Sequence, residues 1–261
     1  FELKLGMMKE PDLNSFFDSR YIIEGLTEEE RAQKNDYLEP IKAFARATYT
    51  SIYVIDYLEQ GFEFVSDNPL FLCGNTAEEV LEMGYAFYFK HVPPADLELL
   101  LKVNSVGFDF YEKIPHEERI LYTISYDFHL KNQEGKLILI NQKLTPVFLT
   151  NTGKIWKAIC IISLSSERKA GNIKIHKNGE NKVHNYNLDK GHWEESKKVS
   201  LSKREKEILQ LSTRGFTINE IADEIFVSPD TVKFHRRKLF ERLEVTSITE
   251  AIAYATNNKL I

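Results

Sequence analysis

Five cations stand between Ser228 and Arg242, at positions 233, 236, 237, 238 and 242, against two acids, Asp230 and Glu241. Ser228, Pro229 and Asp230 mark a helix start just ahead of them: a capping hydroxyl, a residue preset for the first helical position, and a carboxylate near the positive helix end. Advancing about 100° per residue puts Val232, Leu239 and Leu243 on one side of that helix and Asp230, Lys233, Phe234 and Arg237 on the other. The chemistry open to the second face is recognition of anions and of hydrogen-bond acceptors by ammonium and guanidinium donors. A merely solvated charged face has the same composition. Two features go beyond solvation: the short turn Phe226, Val227, Ser228 joins two helices without slack, and the second helix opens with small or polar residues that could approach a groove.

The elements that must position this face are also written in the chain. Ser202 with Glu205, Thr217 with Glu220, and Ser247 with Glu250 each place a hydroxyl three residues before a carboxylate, the spacing of a capping box. Gly215 supplies the break after the first of these helices. Apolar residues recur at helical spacing in each segment: Ile208 and Leu211; Ile218, Ile221, Ala222 and Ile225; Val232, Leu239 and Leu243; Ile248, Ala251, Ile252 and Ala255. Four helices, each with one buried stripe, are expected over residues 199–261.

At Leu201, Ser202, Arg204, Glu205, Ile208, Leu209, Gly215, Thr217, Glu220, Ile221, Ala222, Ser228, Thr231, Val232, Lys233, His235, Leu239, Leu243, Val245, Ser247, Glu250 and Ala251 the tail resembles the LuxR/GerE-type DNA-binding domain of bacterial transcription regulators. The resemblance implies a four-helix domain whose third helix, about 229–243, enters the major groove of double-stranded DNA and whose fourth helix pairs with a second copy in a homodimer. It implies base contacts from Lys233, Phe234 and Arg237. Phosphate contacts fall to Thr217, Ser228, Thr231 and Arg236, and the dimer helix presents Ile248, Ala251, Ile252 and Ala255. The chain departs from the pattern at three places. Asn219 stands where a basic residue is common, Ile248 where arginine usually follows the serine, and Glu244 where glycine is frequent. From Val199 onward there are 10 Lys or Arg against 9 acids, and the whole chain carries −5, so long-range steering toward DNA is expected to be weak. His235 reads as a packing and hydrogen-bonding residue rather than a metal ligand or pH switch.

Upstream, SIYVID and FEFVS are short β-branched or aromatic runs separated by LEQG, which predicts an antiparallel pair. Thr76 and Glu79 make another capping box at the head of AEEVLEMG, and PPADLELLLKV opens a longer helix near Pro94. Three strands follow: ILYTISYDFHL, KLILINQKLTPVFL and IWKAICIISL, divided by the QEG and NTG turns. This order, with NPLFLCGNTAEEVL after the second strand, resembles a PAS sensor domain. The fold class is therefore α+β: an antiparallel PAS-like sheet with helices at 41–169, a linker with a β-hairpin around Asn178-Gly179 at 170–198, and the all-α domain at 199–261. Residues 1–40 form an N-terminal helical extension, with an apolar patch at Leu13, Phe16 and Phe17 and a helix candidate in TEEERAQKNDYLEP. Polar KGHWEESKK ends the linker, where Trp193 is the expected anchor onto one domain.

Residues 37–128 hold 18 of the 31 aromatic residues, which can fill a core or line a pocket; core filling is favoured. His91, His116 and His129 sit in no pattern that singles out a haem ligand, and Cys73 beside Asn75 is a poor match to a flavin-binding cysteine. No cofactor and no metal are assigned. Two cysteines, Cys73 and Cys160, make neither a disulfide framework nor a zinc site, and a reducing cytoplasm is expected. No apolar run approaches about 18 residues and no leader-like start is seen, so neither membrane insertion nor secretion is expected. Asp56, at the end of SIYVID, lacks the acidic pair of a phosphoacceptor site, and no nucleophile, phosphate loop or paired carboxylate motif suggests an enzyme. The expected function is a DNA-binding regulator whose PAS-like half senses a small molecule or a partner. A scaffold whose helical tail binds protein is the alternative.

Overall fold

The computed structural model describes Phe16, Ile22, Ile23 and residues 25–32, 37–258 and 260–261. The expected contributions of Leu13 and Phe17 lie outside those residues. The described residues divide into two compact units: those from Phe16 to Glu180 with 184–194, and residues 181–183 with those from Glu195 onward.

The first unit begins with helices α1 (Glu28–Ala32) and α2 (Leu38–Thr48), followed by strands β1 (Ser51–Asp56) and β2 (Gly61–Val65). Four helices come next: α3 (Pro69–Leu72), α4 (Ala77–Met83), α5 (Ala86–His91) and α6 (Pro94–Glu112). A 3-10 turn over His116–Leu121 leads into β3 (Tyr122–Lys131), β4 (Leu137–Leu149) and β5 (Ile155–Leu164). Two strands, helices, then three strands is the succession read from the sequence. The capping box of Thr76 and Glu79 is formed in both directions and starts α4. Pro94 occupies the first turn of α6, where its missing N–H has no partner to lose.

All of these strands join one antiparallel sheet in the order β2-β1-β5-β4-β3, and β6 (Gly171–Lys177), β7 (Lys182–Asn187) and β8 (His192–Lys197) extend it beyond β3. β7 is the hairpin strand expected after Asn178-Gly179. β8 was not expected, because HWEESK carries only one large apolar residue and reads as a polar tail. It forms because Gly191, at φ 71°, closes a second tight turn and because Trp193 finds a partner surface. Trp193 packs 5.0 Å from Phe110 of α6 and 5.1 Å from Tyr186 of β7, ring centroid to ring centroid. The anchor role read for Trp193 is thus filled within the sheet unit.

Aromatic rings fill the interior between the sheet and α3–α6. Tyr53 stacks on Phe71 at 4.3 Å, and its hydroxyl shares a 2.6 Å hydrogen bond with that of Tyr88. Phe16 packs against Tyr85, Tyr88 and Phe89, so one residue of the N-terminal patch belongs to this core. Burial pushes the thiols of Cys73 and Cys160 up to about 12, far from the reactive thiolate form at neutral pH.

One charged cluster interrupts the apolar interior. Lys157, fully buried on β5, donates to Asp56 at 2.7 Å and to Glu63, and Tyr37 donates to the same Glu63 carboxylate. Asp56 also accepts the N–H groups of Leu58 and Glu59, which caps the β1–β2 turn. The residue that suggested phosphoacceptor chemistry therefore has an ion-pairing and turn-closing place. Burial and the neighbouring carboxylates raise the Tyr37 phenol, which keeps it a donor at physiological pH.

The second unit contains four helices: α7 (Lys203–Thr213), α8 (Ile218–Glu224), α9 (Pro229–Leu243) and α10 (Ile248–Asn257). Ile208 and Leu211 of α7, Ile221 and Ala222 of α8, and Val232 of α9 form one buried cluster. Leu201, Leu209, Leu239, Leu243, Ala251 and Ala255 form another, which ties α7, α9 and α10 together. Burying each of the larger aliphatic side chains stabilises the domain by roughly 1.5–3 kcal/mol. Among the described residues, no helix is long and apolar enough to cross a membrane.

Candidate nucleic-acid interface

Capping chemistry fixes where each helix of the second unit starts. Ser202 and Thr217 form reciprocal capping boxes with Glu205 and Glu220. Ser228 Oγ accepts the N–H of Thr231, with Pro229 in the first turn of α9. The third expected box differs. Ser247 Oγ accepts from the Glu250 N–H, but Glu250 turns back past Ser247 to accept from the N–H and hydroxyl of Thr246.

The turn from α8 to α9 is held by the N–H of Val227 donating to the Ala222 carbonyl at 2.9 Å. This places Phe226 in the left-handed region, at φ 55°, with its ring 94% exposed. The sequence marked Phe226 only as part of a turn. Its exposure follows from the backbone: a left-handed residue between two packed helices turns its side chain outward.

From that turn α9 projects its cationic face. Val232, Leu239 and Leu243 are buried, while Lys233, Phe234, Arg237 and Lys238 are exposed, as the helical spacing requires. Lys233, Phe234 and Arg237 lie together within about one turn of helix. They are not bare. Lys233 pairs with Asp230 at 3.0 Å, Arg237 lies 4.0 Å from Glu241, and the Lys238 ammonium sits 4.5 Å from the centre of the Phe234 ring. Such exposed pairs are worth well under 1 kcal/mol each, so an anionic partner can displace them. Phe234 gathers two cations, since the Arg237 guanidinium stands 5.8 Å from the same ring.

Of the residues read as phosphate contacts, Thr217 caps α8, while Ser228 and Thr231 meet at the start of α9 with Oγ and Oγ1 2.9 Å apart. Arg236 is set round from them, half-buried and 5.7 Å from the Phe240 ring, and burial draws its guanidinium below its ordinary pKa. His235 is half-buried with its ring edge-on to Phe234 at 5.6 Å. Arg242, the fifth cation of the stripe, is partly exposed but engaged within its own domain. It donates to the Ser200 carbonyl and to Glu205, both at 3.0 Å. The free cationic face is smaller than the count of Lys and Arg implies.

Two residues of the expected dimer helix pack inside their own domain. Ala251 and Ala255 are fully buried in the domain's own core, because their small side chains let α10 lie close against α7 and α9. Ile248 and Ile252 are half-buried at the edge of the same cluster. The outward stripe of α10 is Thr249, Ala253 and Thr256. At another of the three departures from the family pattern, Glu244 closes α9 at φ 55° with its N–H bonded to the Phe240 carbonyl. This is the conformation glycine adopts without strain.

A turn-linked α8–α9 pair, braced by α7 and α10, defines a helix-turn-helix domain. Residues 199–255 match the luxR family of bacterial regulatory proteins, so this domain is of the LuxR/GerE type, and no catalytic family is indicated. The oxygen regulatory protein NreC of Staphylococcus carnosus is 43% identical over 61 residues, which is 23% of this chain and 28% of that protein. The chain spans 28–36% of the length of the curated relatives it matches. Among solved structures, the VqmA dimer of Vibrio cholerae, a LuxR-type receptor, aligns over 85% of this chain and 88% of its own at 17% identity and a TM-score of 0.31. A PAS domain from Colwellia psychrerythraea aligns over 51% of this chain and all of its own at 16% identity and a TM-score of 0.37.

Proposed function

We propose that this chain is a transcription regulator in which α9 reads the major groove of duplex DNA, the sheet domain at 41–169 senses a small molecule or a partner, and residues 170–198 link sensor to reader. The observation that carries the reading is the grouping of Lys233, Phe234 and Arg237 on the exposed face of α9, a helix whose start is capped by Ser228 as that of α8 is by Thr217. The helix starts offer hydroxyls and amides to phosphates, while the α9 face offers donors to base edges. Two copies acting on a two-fold DNA site would pair through the outward stripe of α10, Thr249, Ala253 and Thr256, with Ile252 at its margin.

DNA affinity measured against salt tests this. Groove binding that neutralises several phosphates gives a log–log slope of about −0.9 per phosphate. A flat slope favours the other reading, a scaffold whose helical tail binds protein. The observations favouring that alternative are the internal pairing of Arg242 and the carboxylates already beside Lys233 and Arg237.

A further inference from the structure

The two phenylalanines of α9 are placed differently. Phe240 packs against the buried cluster that holds Leu239, Leu243, Ala251 and Ala255. Phe234 joins neither apolar cluster of its domain and is 43% exposed. The groups around its ring are His235, edge-on at 5.6 Å, the Arg237 guanidinium at 5.8 Å and the Lys238 ammonium at 4.5 Å. Core packing therefore gives no account of this ring. Helix propensity gives none either, since phenylalanine is a poorer helix former than lysine, arginine or alanine.

An exposed phenylalanine is by itself ordinary on a protein surface. Its position carries the meaning here. Lys233 precedes it and Arg237 follows about one turn on, so hydrogen-bond donors flank the ring on the exposed face of α9. In the major groove, base pairs present chiefly hydrogen-bond donors and acceptors, and the one methyl group among them belongs to thymine. The cations suit the acceptors of guanine. An apolar ring gains only by covering the methyl.

We propose that Phe234 is a thymine reader: its ring covers the 5-methyl group of a thymine in the bound site, close to a guanine met by Arg237. The ring centre and the guanidinium stand 5.8 Å apart, and base pairs stack at about 3.4 Å, so the thymine and the guanine fall within about two base pairs of each other. This inference rests on the groove reading proposed above and deepens it by naming a base the site must contain. A ring that serves only to prop Arg237 and Lys238 has no such requirement.

Site selection by the full chain from a pool of random duplexes, followed by a single-atom-group change in the DNA, tests it. The recovered sites should share a thymine within about two base pairs of a guanine. Replacing that thymine with deoxyuridine removes the methyl group and nothing else. Wild type should then bind about fourfold more weakly, the effect of one buried group of that size. Phe234→Ala, which takes a side chain from neither core cluster, should bind the thymine and uracil duplexes equally. Wild-type affinity unchanged by uracil at every shared thymine overturns the inference, and it does so without any variant. A thymine preference that persists in Phe234→Ala overturns it too, because another residue then reads the methyl. Both outcomes leave DNA reading in place. Failure to recover any preferred sequence removes that function and the thymine reading together.

Discussion

The Arg242 guanidinium lies 3.0 Å from the carboxylate of Glu205, joining the last turn of α9 to the first turn of α7. Glu205 is 2% exposed and also accepts the N–H and hydroxyl of Ser202, so one carboxylate caps α7 and fixes the far end of the recognition helix. Removing Arg242 leaves that carboxylate buried with fewer partners. Arg242→Ala should lower stability by about 1–2 kcal/mol, a value moderated by the partial exposure of the guanidinium. In DNA titrations it should leave the salt slope unchanged. A slope reduced by about one phosphate would show that Arg242 contacts the backbone after all.

Lys233→Ala and Arg237→Ala should each weaken specific DNA binding by about 1–3 kcal/mol if they meet base edges. Both side chains are exposed, so thermal unfolding should stay close to wild type. Asp230→Asn should act in the opposite direction on affinity by releasing Lys233. Binding isotherms on a duplex containing the selected site distinguish these effects.

Glu244 holds the left-handed conformation that ends α9. Glu244→Gly should raise stability by about 1 kcal/mol, the ordinary penalty of a side chain in that region. Calorimetry of the variant checks this; an unchanged or lowered melting temperature would mean that the greater freedom of glycine in the unfolded chain outweighs the relief.

Lys157 is the cation at the centre of the buried Asp56, Glu63 and Tyr37 cluster. Lys157→Met should cost about 3–5 kcal/mol, because it leaves two carboxylates facing each other in the interior. The double variant Lys157→Met with Asp56→Asn should recover part of that loss. Denaturant unfolding of the single and double variants gives the comparison.

His91 is buried with Nδ1 3.1 Å from the Lys131 carbonyl and Nε2 3.0 Å from the Asn75 amide, a pairing that suits the neutral ring with its proton on Nδ1. Burial, with Lys90 and Lys131 nearby, depresses its pKa below the ordinary 6.5. A depressed histidine contributes stability that is complete above its unfolded pKa and is lost as pH falls through the folded value. The melting temperature of the wild type should therefore drop between about pH 6.5 and the folded pKa. His91→Gln should remove this part of the pH dependence, measured as the difference in melting temperature across that range.

Local chemistry determined much of this protein directly from its sequence. A hydroxyl three residues before a carboxylate made the heads of α4, α7, α8 and α10 legible, Ser228-Pro229-Asp230 did the same for α9, and helical spacing gave the buried stripe Val232, Leu239 and Leu243. Alternating apolar runs likewise announced β1 to β5. Contacts between segments distant in the chain were another matter. Periodicity says that Ala251 and Ala255 lie on an apolar face, but not whether that face meets its own domain or a second copy; the closeness of α10 to α7 and α9 decided it. Charge counting placed Arg242 in the basic stripe, and only the position of Glu205 showed that its guanidinium is paired within the domain. β8 needed Phe110 as a partner for Trp193, and Asp56 needed Lys157, 101 residues away. Spacing along a chain encodes which way a side chain points from its own element, because helix and strand geometry are periodic. What it meets there depends on how elements pack, and that the tertiary structure alone decided.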